Sequence, residues 1–181
     1  MDSIVGDGDL GLTMGDGFKA AYEKVADGSI TDAGKLLYQA GKAMASAVPS
    51  TMGTLMASGL MQAGKVLKGT EMLENADVAK LFEAYEAGVA NRGKAKVGEK
   101  TFIDGIHPAV ESLNAAAASG ASLEEMAAGA VKAAEDGFKN TTTMLAVHGR
   151  AATRGEASRS LEDPGAYVAV LIMKAFEKST K

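Results

Sequence analysis

The sequence contains no cysteine and no tryptophan, three prolines, two histidines and only 5% aromatic residues. Without cysteine there is no disulfide framework, no thiolate metal site and no cysteine nucleophile, and the composition suits a reducing compartment. So few aromatics also remove the stacking platforms on which single-stranded nucleic acids are bound. An excess of positive charge is missing as well. Against 19 Lys and Arg stand 23 Asp and Glu, a formal net charge of -4, which argues against nucleic acid as a partner. Phosphate, if it is bound, must be bound locally. A secretory signal is lacking, because Asp2 and Asp7 stand where a basic region and an apolar run are needed, so a cytoplasmic location is expected. The charge-free stretch 43–64 is long enough to span a bilayer, but Ser46, Pro49, Ser50, Thr51, Gly53, Thr54, Ser58 and Gln62 make it too polar for lipid. It is expected inside the protein, with no membrane involved.

What is present is helix-forming. At 181 residues and 46% hydrophobic content the chain fits a single globular domain over 1–181. Alanine accounts for roughly a fifth of it and β-branched runs are scarce, which favours helices packed through small side chains over a sheet. Val78, Leu81, Phe82, Tyr85 and Val89 fall on one helical face, as do Leu123, Met126, Ala127, Ala130, Val131, Ala134 and Phe138. Leu37, Ala40, Met44, Ala47 and Val48 repeat the spacing. Thr31 and Asn75 read as helix caps, Ser122 with Glu125 as a capping box, and Asp163-Pro164 as N-cap and first turn. About six or seven helices follow. Pro108 predicts a kink, or a restart after His107, in the run from Thr101 to Leu113. The apolar run 168–173 keeps helical spacing behind the Asp163 cap and is read as the last helix. Residues 91–100 and 141–162 are the long polar connections, where function is expected to lie.

Several motifs bear on chemistry. Gly6-Asp7-Gly8-Asp9-Leu10-Gly11 matches the dinucleotide fingerprint in letters only, since no strand precedes it and two carboxylates would repel a pyrophosphate. Carboxylates face phosphates when divalent cations lie between them. Asp2, Asp7 and Asp9 therefore read as hard oxygen ligands for a metal, or else as an Asp/Gly turn capping the next helix. A calcium loop counted from Asp7 fails because Phe18 stands where a bidentate Glu is required. Residues 59–66 approximate a phosphate loop but lie within helical spacing, where glycines serve close packing. Pro49-Ser50-Thr51-Met52-Gly53-Thr54 joins two apolar segments and offers hydroxyls and free N–H groups at a helix start, as an anion site or as an ordinary cap. The segment 149–165 gathers Arg150, Arg154 and Arg159, suited either to a phosphate or to surface ion pairs. His148 is the more function-like of the two histidines. No G-x-S-x-G elbow occurs.

Taken together, these blocks resemble the nucleotide-binding L subunit of dihydroxyacetone kinase, the DhaL family, over essentially all 181 residues. The resemblance rests on Asp2 with Gly6-Asp7-Gly8-Asp9, on Ser50-Thr51-Met52-Gly53, on Gly98-Glu99-Lys100-Thr101-Phe102-Ile103-Asp104, and on Gly149-Arg150-Ala151 ahead of Asp163-Pro164-Gly165-Ala166. It implies an all-α antiparallel helical barrel or bundle of about seven to eight helices with the nucleotide site at one end. It further implies that Asp2, Asp7 and Asp9 hold two Mg²⁺ ions against the phosphates of ADP or ATP. Thr13, Ser50, Thr51, Met52 and Gly53 would contact the nucleotide, Thr101, Phe102, Asp163, Pro164 and Gly165 would form the adenine-side wall, and Arg150 would face the transferred phosphoryl group as the catalytic residue.

Through the same resemblance the expected activity is transfer of the γ-phosphoryl group to dihydroxyacetone, or a similar hydroxyketone, held on a partner K subunit. A phosphohistidine M subunit of the phosphotransferase system is a further expected partner, and a homodimer is a further expected assembly. Leu10 and Leu161 stand where the family usually carries His, Pro49-Ser50 replaces a common Gly-Gly step, and the family's helix before the first Asp is expected to be missing. These departures motivate an alternative, a nucleotide-binding regulatory module without turnover.

Overall fold

The computed structural model describes residues 2–181, without the side chains of Ile4 and Val5. Among the described residues there are eight α-helices and no strand: α1 (Asp2–Val5), α2 (Leu10–Val25), α3 (Ala33–Ala47), α4 (Thr51–Val66), α5 (Asn75–Gly93), α6 (Phe102–Ala118), α7 (Leu123–Asn140) and α8 (Pro164–Ser179). Two 3-10 segments, Thr141–Thr143 and Arg150–Ser158, lie between α7 and α8. The all-α expectation holds, and 168–173 lies inside α8. The helices form two compact units, one of α2–α5 (Leu10–Lys94), the other of the residues up to Asp9 together with Ala95–Lys181.

In the α2–α5 unit each helix packs on the next in sequence. Glycine sets how closely they approach. A Cβ at Gly34 in α3 would lie 2.5 Å from the Gly64 carbonyl oxygen of α4, and one at Gly88 in α5 would lie 2.6 Å from the Ser58 carbonyl oxygen. Met44 and Met56 are fully buried, and such side chains contribute about 1.5–3 kcal/mol each. The phosphate-loop-like stretch is interior helix: Gly59 presses on the Tyr85 ring, and a Cβ there would lie 2.8 Å from the ring carbons. Two helix starts fall one residue from expectation. Asp32, not Thr31, caps α3, because its two carboxylate oxygens accept both from Lys35 N–H at 2.9 Å and from Gly69 N–H at 3.0 Å. Glu74, not Asn75, stands at the cap of α5, where its N–H donates to Asp77 at 3.2 Å.

In the second unit α6 packs on α7 and α8, and α7 on α8. Ile106, Leu113, Met126 and Met173 are fully buried between them. The Ser122–Glu125 capping box and the Asp163 cap are both formed. The restart after His107 does not occur: α6 runs through Pro108 as one helix. Proline removes a single hydrogen bond, to the Asp104 carbonyl, and α7 covers that notch, with Gly137 against the same carbonyl and 2.7 Å from Cβ position to the Pro108 ring. Packing against the notch holds the helix together despite the lost bond.

Candidate functional site

The acidic loop is built by its glycines. α1 is closed by a hydrogen bond from Gly6 N–H to the Asp2 carbonyl at 2.6 Å. A Cβ on Gly6 would collide with the Asp2 carboxylate, and Gly8 takes a φ of +82°, which favours glycine. The turn thereby brings one carboxylate oxygen each of Asp2, Asp7 and Asp9 within 4.8 Å of one another. Asp2 is half-buried, while Asp7 and Asp9 are exposed. The Asp9 carboxyl is raised above its ordinary range, first by a hydrogen bond with Asp7, then by residual burial and the charges of Asp7 and Asp2, with Arg150 opposing. Arg150 Nη2 lies 2.5 Å from Asp7 Oδ2. Crowded hard oxygens whose mutual repulsion a cation would relieve fit a divalent metal such as Mg²⁺.

A second cluster sits at the starts of α6 and α8. Thr101 caps α6, accepting from Ile103 N–H at 3.2 Å. Asp104 closes the box, taking Thr101 N–H at 2.7 Å and Gly98 N–H at 2.6 Å. Asp163 caps α8, accepting from Ala166 N–H at 2.7 Å, with Pro164 in the first turn. Gly165 lies over the α6 start, 3.2 Å from Cβ position to Phe102 N. Structure thus brings Thr101 and Phe102 beside Asp163, Pro164 and Gly165, although the Phe102 side chain is buried and underlies this surface. Burial of Asp163 pushes its carboxyl up from 3.8 to about 6.

The remaining residues belong to the α2–α5 unit. Ser50 caps α4, its hydroxyl accepting from Gly53 N–H at 3.0 Å, so Thr51 and Met52 head the helix with N–H groups that have no partner inside it. Gly53 is required there, since a Cβ would strike the Val48 carbonyl and come within 2.7 Å of its Cγ2. Thr13 is half-buried in α2.

Other polar candidates are engaged locally. Arg159 Nε donates to Glu156 at 2.7 Å and its Nη1 to the Thr143 carbonyl at 3.2 Å. His148 Nε2 lies 2.7 Å from Glu99 Oε2, and His148, followed by the Lys96 N–H, holds the Glu99 carboxyl below its usual range. Leu161 packs against Ala146 and Ala151. Lys100, whose Nζ is buried among carbonyl oxygens, and the supporting pair Thr141 and Ser158 were not singled out by spacing. The Thr-x-x-Asp pattern at 101–104 was a usable signal for a helix start just after Lys100.

The DAK2 domain pattern matches residues 4–178. The chain belongs to the DAK2 domain family. Over its full length it is 32% identical to the "PEP-dependent dihydroxyacetone kinase, ADP-binding subunit DhaL" of Escherichia coli K12, covering 86% of that protein. It is also 32% identical, across 97% of its length, to the L-erythrulose kinase of Pectobacterium atrosepticum, of which it spans 30%. Among solved structures, the native dihydroxyacetone kinase of C. freundii superposes with a TM-score of 0.72 over 98% of this chain and 30% of that one, at 23% identity, so the DAK2 domain fold is shared. This DAK2 domain is of kinase type. No described helix is long and apolar enough to cross a membrane.

Proposed function

We propose that this chain, acting as one nucleotide-binding domain, is the phosphoryl-donating subunit of a dihydroxyacetone kinase: it binds ADP or ATP with Mg²⁺ and passes the γ-phosphoryl group to dihydroxyacetone, or a similar small hydroxyketone, held on a partner K subunit. The observation that carries it is the grouping of Asp2, Asp7 and Asp9 within 4.8 Å with Arg150 at their edge, in a chain that aligns over its whole length with 86% of a subunit whose name says it binds ADP. When bound, Mg²⁺ would offset the charge between carboxylates and phosphates. Asp2, Asp7 and Asp9 would hold it. Arg150 swings from Asp7 to the transferring phosphoryl group, where a guanidinium fork suits phosphate oxygens. The N–H groups heading α4, with Ser50, Thr51, Met52 and Gly53, take phosphate oxygens at the helix start, with Thr13 as a further contact. Thr101, Phe102, Asp163, Pro164 and Gly165 form the nucleoside-side wall. A phosphohistidine M subunit recharges bound ADP in this reading.

The test is to desalt the purified chain, denature it, and measure released nucleotide and metal on one sample. Near one ADP and two Mg²⁺ per chain is expected; neither present, and none taken up from millimolar Mg-ATP, overturns the reading. A second reading, a nucleotide sensor without turnover, is favoured by the packing of the half-buried Leu161 against Ala146 and Ala151, an apolar contact where a polar lid residue is expected. Sustained phosphorylation of dihydroxyacetone on adding a K-type partner and ATP eliminates it.

A further inference from the structure

The buried end of Lys100 is not used by the proposed reaction, yet it is heavily bonded. The residue is 2% exposed. Its Nζ donates to three backbone carbonyls, of Thr141 at 2.5 Å, Arg159 at 3.1 Å and Leu161 at 2.5 Å. Those carbonyls belong to the two ends of one connection, the segment that leaves α7 and returns to α8. An ammonium has three donors, and here each has its own acceptor. Lys100 also takes a φ of +59°, a conformation that costs free energy in any residue with a Cβ. Glycine would remove that cost, but it would leave one buried and two part-buried carbonyls without their donor.

What the closed connection carries explains why this matters. Its middle holds the 3-10 segment that begins at Arg150, whose guanidinium meets Asp7 at 2.5 Å. Its far end runs straight into the Asp163 cap, and the Thr141 hydroxyl accepts from Asp163 N–H at 3.2 Å. Lys100 itself precedes Thr101 at the start of α6. One ammonium therefore ties together the loop bearing Arg150, the turn at Asp163 and the cap at Thr101. Inside the loop, Ser158 is fully buried and accepts from Ala146 N–H at 3.1 Å, so tension at the base is transmitted to a segment that is knit within itself.

We propose that Lys100 is a positioning residue for nucleotide binding: without touching a ligand, its ammonium cinches the base of the 141–162 connection and so sets Arg150 opposite Asp7 and the Asp163 turn beside Thr101. The inference rests on the reading that these residues face a nucleotide. Lys100→Met keeps the stem and removes the donors, and Lys100→Gln keeps two donors on a shorter arm. Val89→Ala, in the core of α5, serves as a control of comparable thermal destabilisation.

Mg-ADP binding is measured by calorimetry at a temperature where circular dichroism shows full helix in every variant, alongside trypsin cleavage at Arg150, Arg154 and Arg159. At least a tenfold loss of Mg-ADP affinity is expected in both Lys100 variants, with faster cleavage in that loop, unchanged cleavage within 10–94, and affinity within twofold of wild type for Val89→Ala. Affinity within twofold of wild type in either Lys100 variant overturns the proposal, as does an equal loss in Val89→Ala. Should neither Lys100 variant fold, hydrogen exchange on the wild type decides: amides of 99–103 and 141–163 that Mg-ADP slows together support it, and amides that respond independently overturn it. A wild-type chain that binds no Mg-ADP instead overturns the underlying nucleotide reading, and this baseline tells the two failures apart.

Discussion

The guanidinium of Arg150 closes on the carboxylate of Asp7 at 2.5 Å, joining a loop near the end of the chain to the turn at its start. The pair sits at the edge of a group of three carboxylates, so Arg150 offsets part of the negative charge that the proposed metal would also offset. In the proposed reaction Asp7 would exchange this guanidinium for the metal, and Arg150 would turn toward phosphate.

Asp7→Ala and Asp9→Ala are each expected to abolish nucleotide retention. In the proposed reading the loss of either carboxylate would release the metal, and with it several kcal/mol of charge stabilisation at phosphate; both side chains are exposed, so the fold should stay intact. Released nucleotide per chain, with the helical signal as control, checks this. Stoichiometric ADP in both variants would contradict the assignment.

Gly59→Ala separates packing from phosphate binding. Its Cβ would lie 2.8 Å from the buried Tyr85 ring, and overpacking of that kind costs about 1–3 kcal/mol. Denaturant melts should show the loss, with nucleotide affinity of the folded protein unchanged. A selective loss of affinity without destabilisation would revive a phosphate-loop role for 59–66.

Asp163 makes stability depend on pH in a stated direction. Its carboxyl is raised from 3.8 to about 6 by burial, so the folded state holds a proton that the unfolded state has lost, and stability falls as pH rises through that window. Asp163→Asn stays neutral throughout. From pH 4 to pH 7 the variant should gain on the wild type by on the order of 3 kcal/mol. Parallel stability curves for the two proteins would show that the carboxyl is not perturbed.

Ser50→Ala removes the hydroxyl that accepts from Gly53 N–H at 3.0 Å. About 1 kcal/mol of stability should be lost with that cap, together with weaker phosphate binding if the head of α4 receives it. Calorimetric unfolding combined with Mg-ADP titration distinguishes a pure cap, which moves only the first, from an anion site, which moves both.

Much of the fold was legible because its causes are local. The apolar faces on α5 and α7, the capping box at Ser122 and Glu125, and the Asp163-Pro164 start are all written within a few residues of where they act. The acidic loop was legible for the same reason, since three carboxylates and two glycines within eight positions must share one turn. Errors at Thr31 and Asn75 arose where a neighbouring acid competes as cap, and the restart after His107 fails because packing by α7 on the Pro108 notch outweighs the missing hydrogen bond.

Sequence by itself therefore determined the helical class, the helix starts at Ser122 and Asp163 and the crowding of carboxylates in the acidic turn, because periodicity, caps and short-range crowding are properties of consecutive residues. Only the tertiary structure decided that Arg150 meets Asp7, that Leu161 turns inward onto Ala146 and Ala151, and that Lys100 bonds carbonyls 41 to 61 residues away. Nothing local marks such pairs: a lysine in a polar stretch looks like any solvated lysine until the chain returns and surrounds it with carbonyl oxygens.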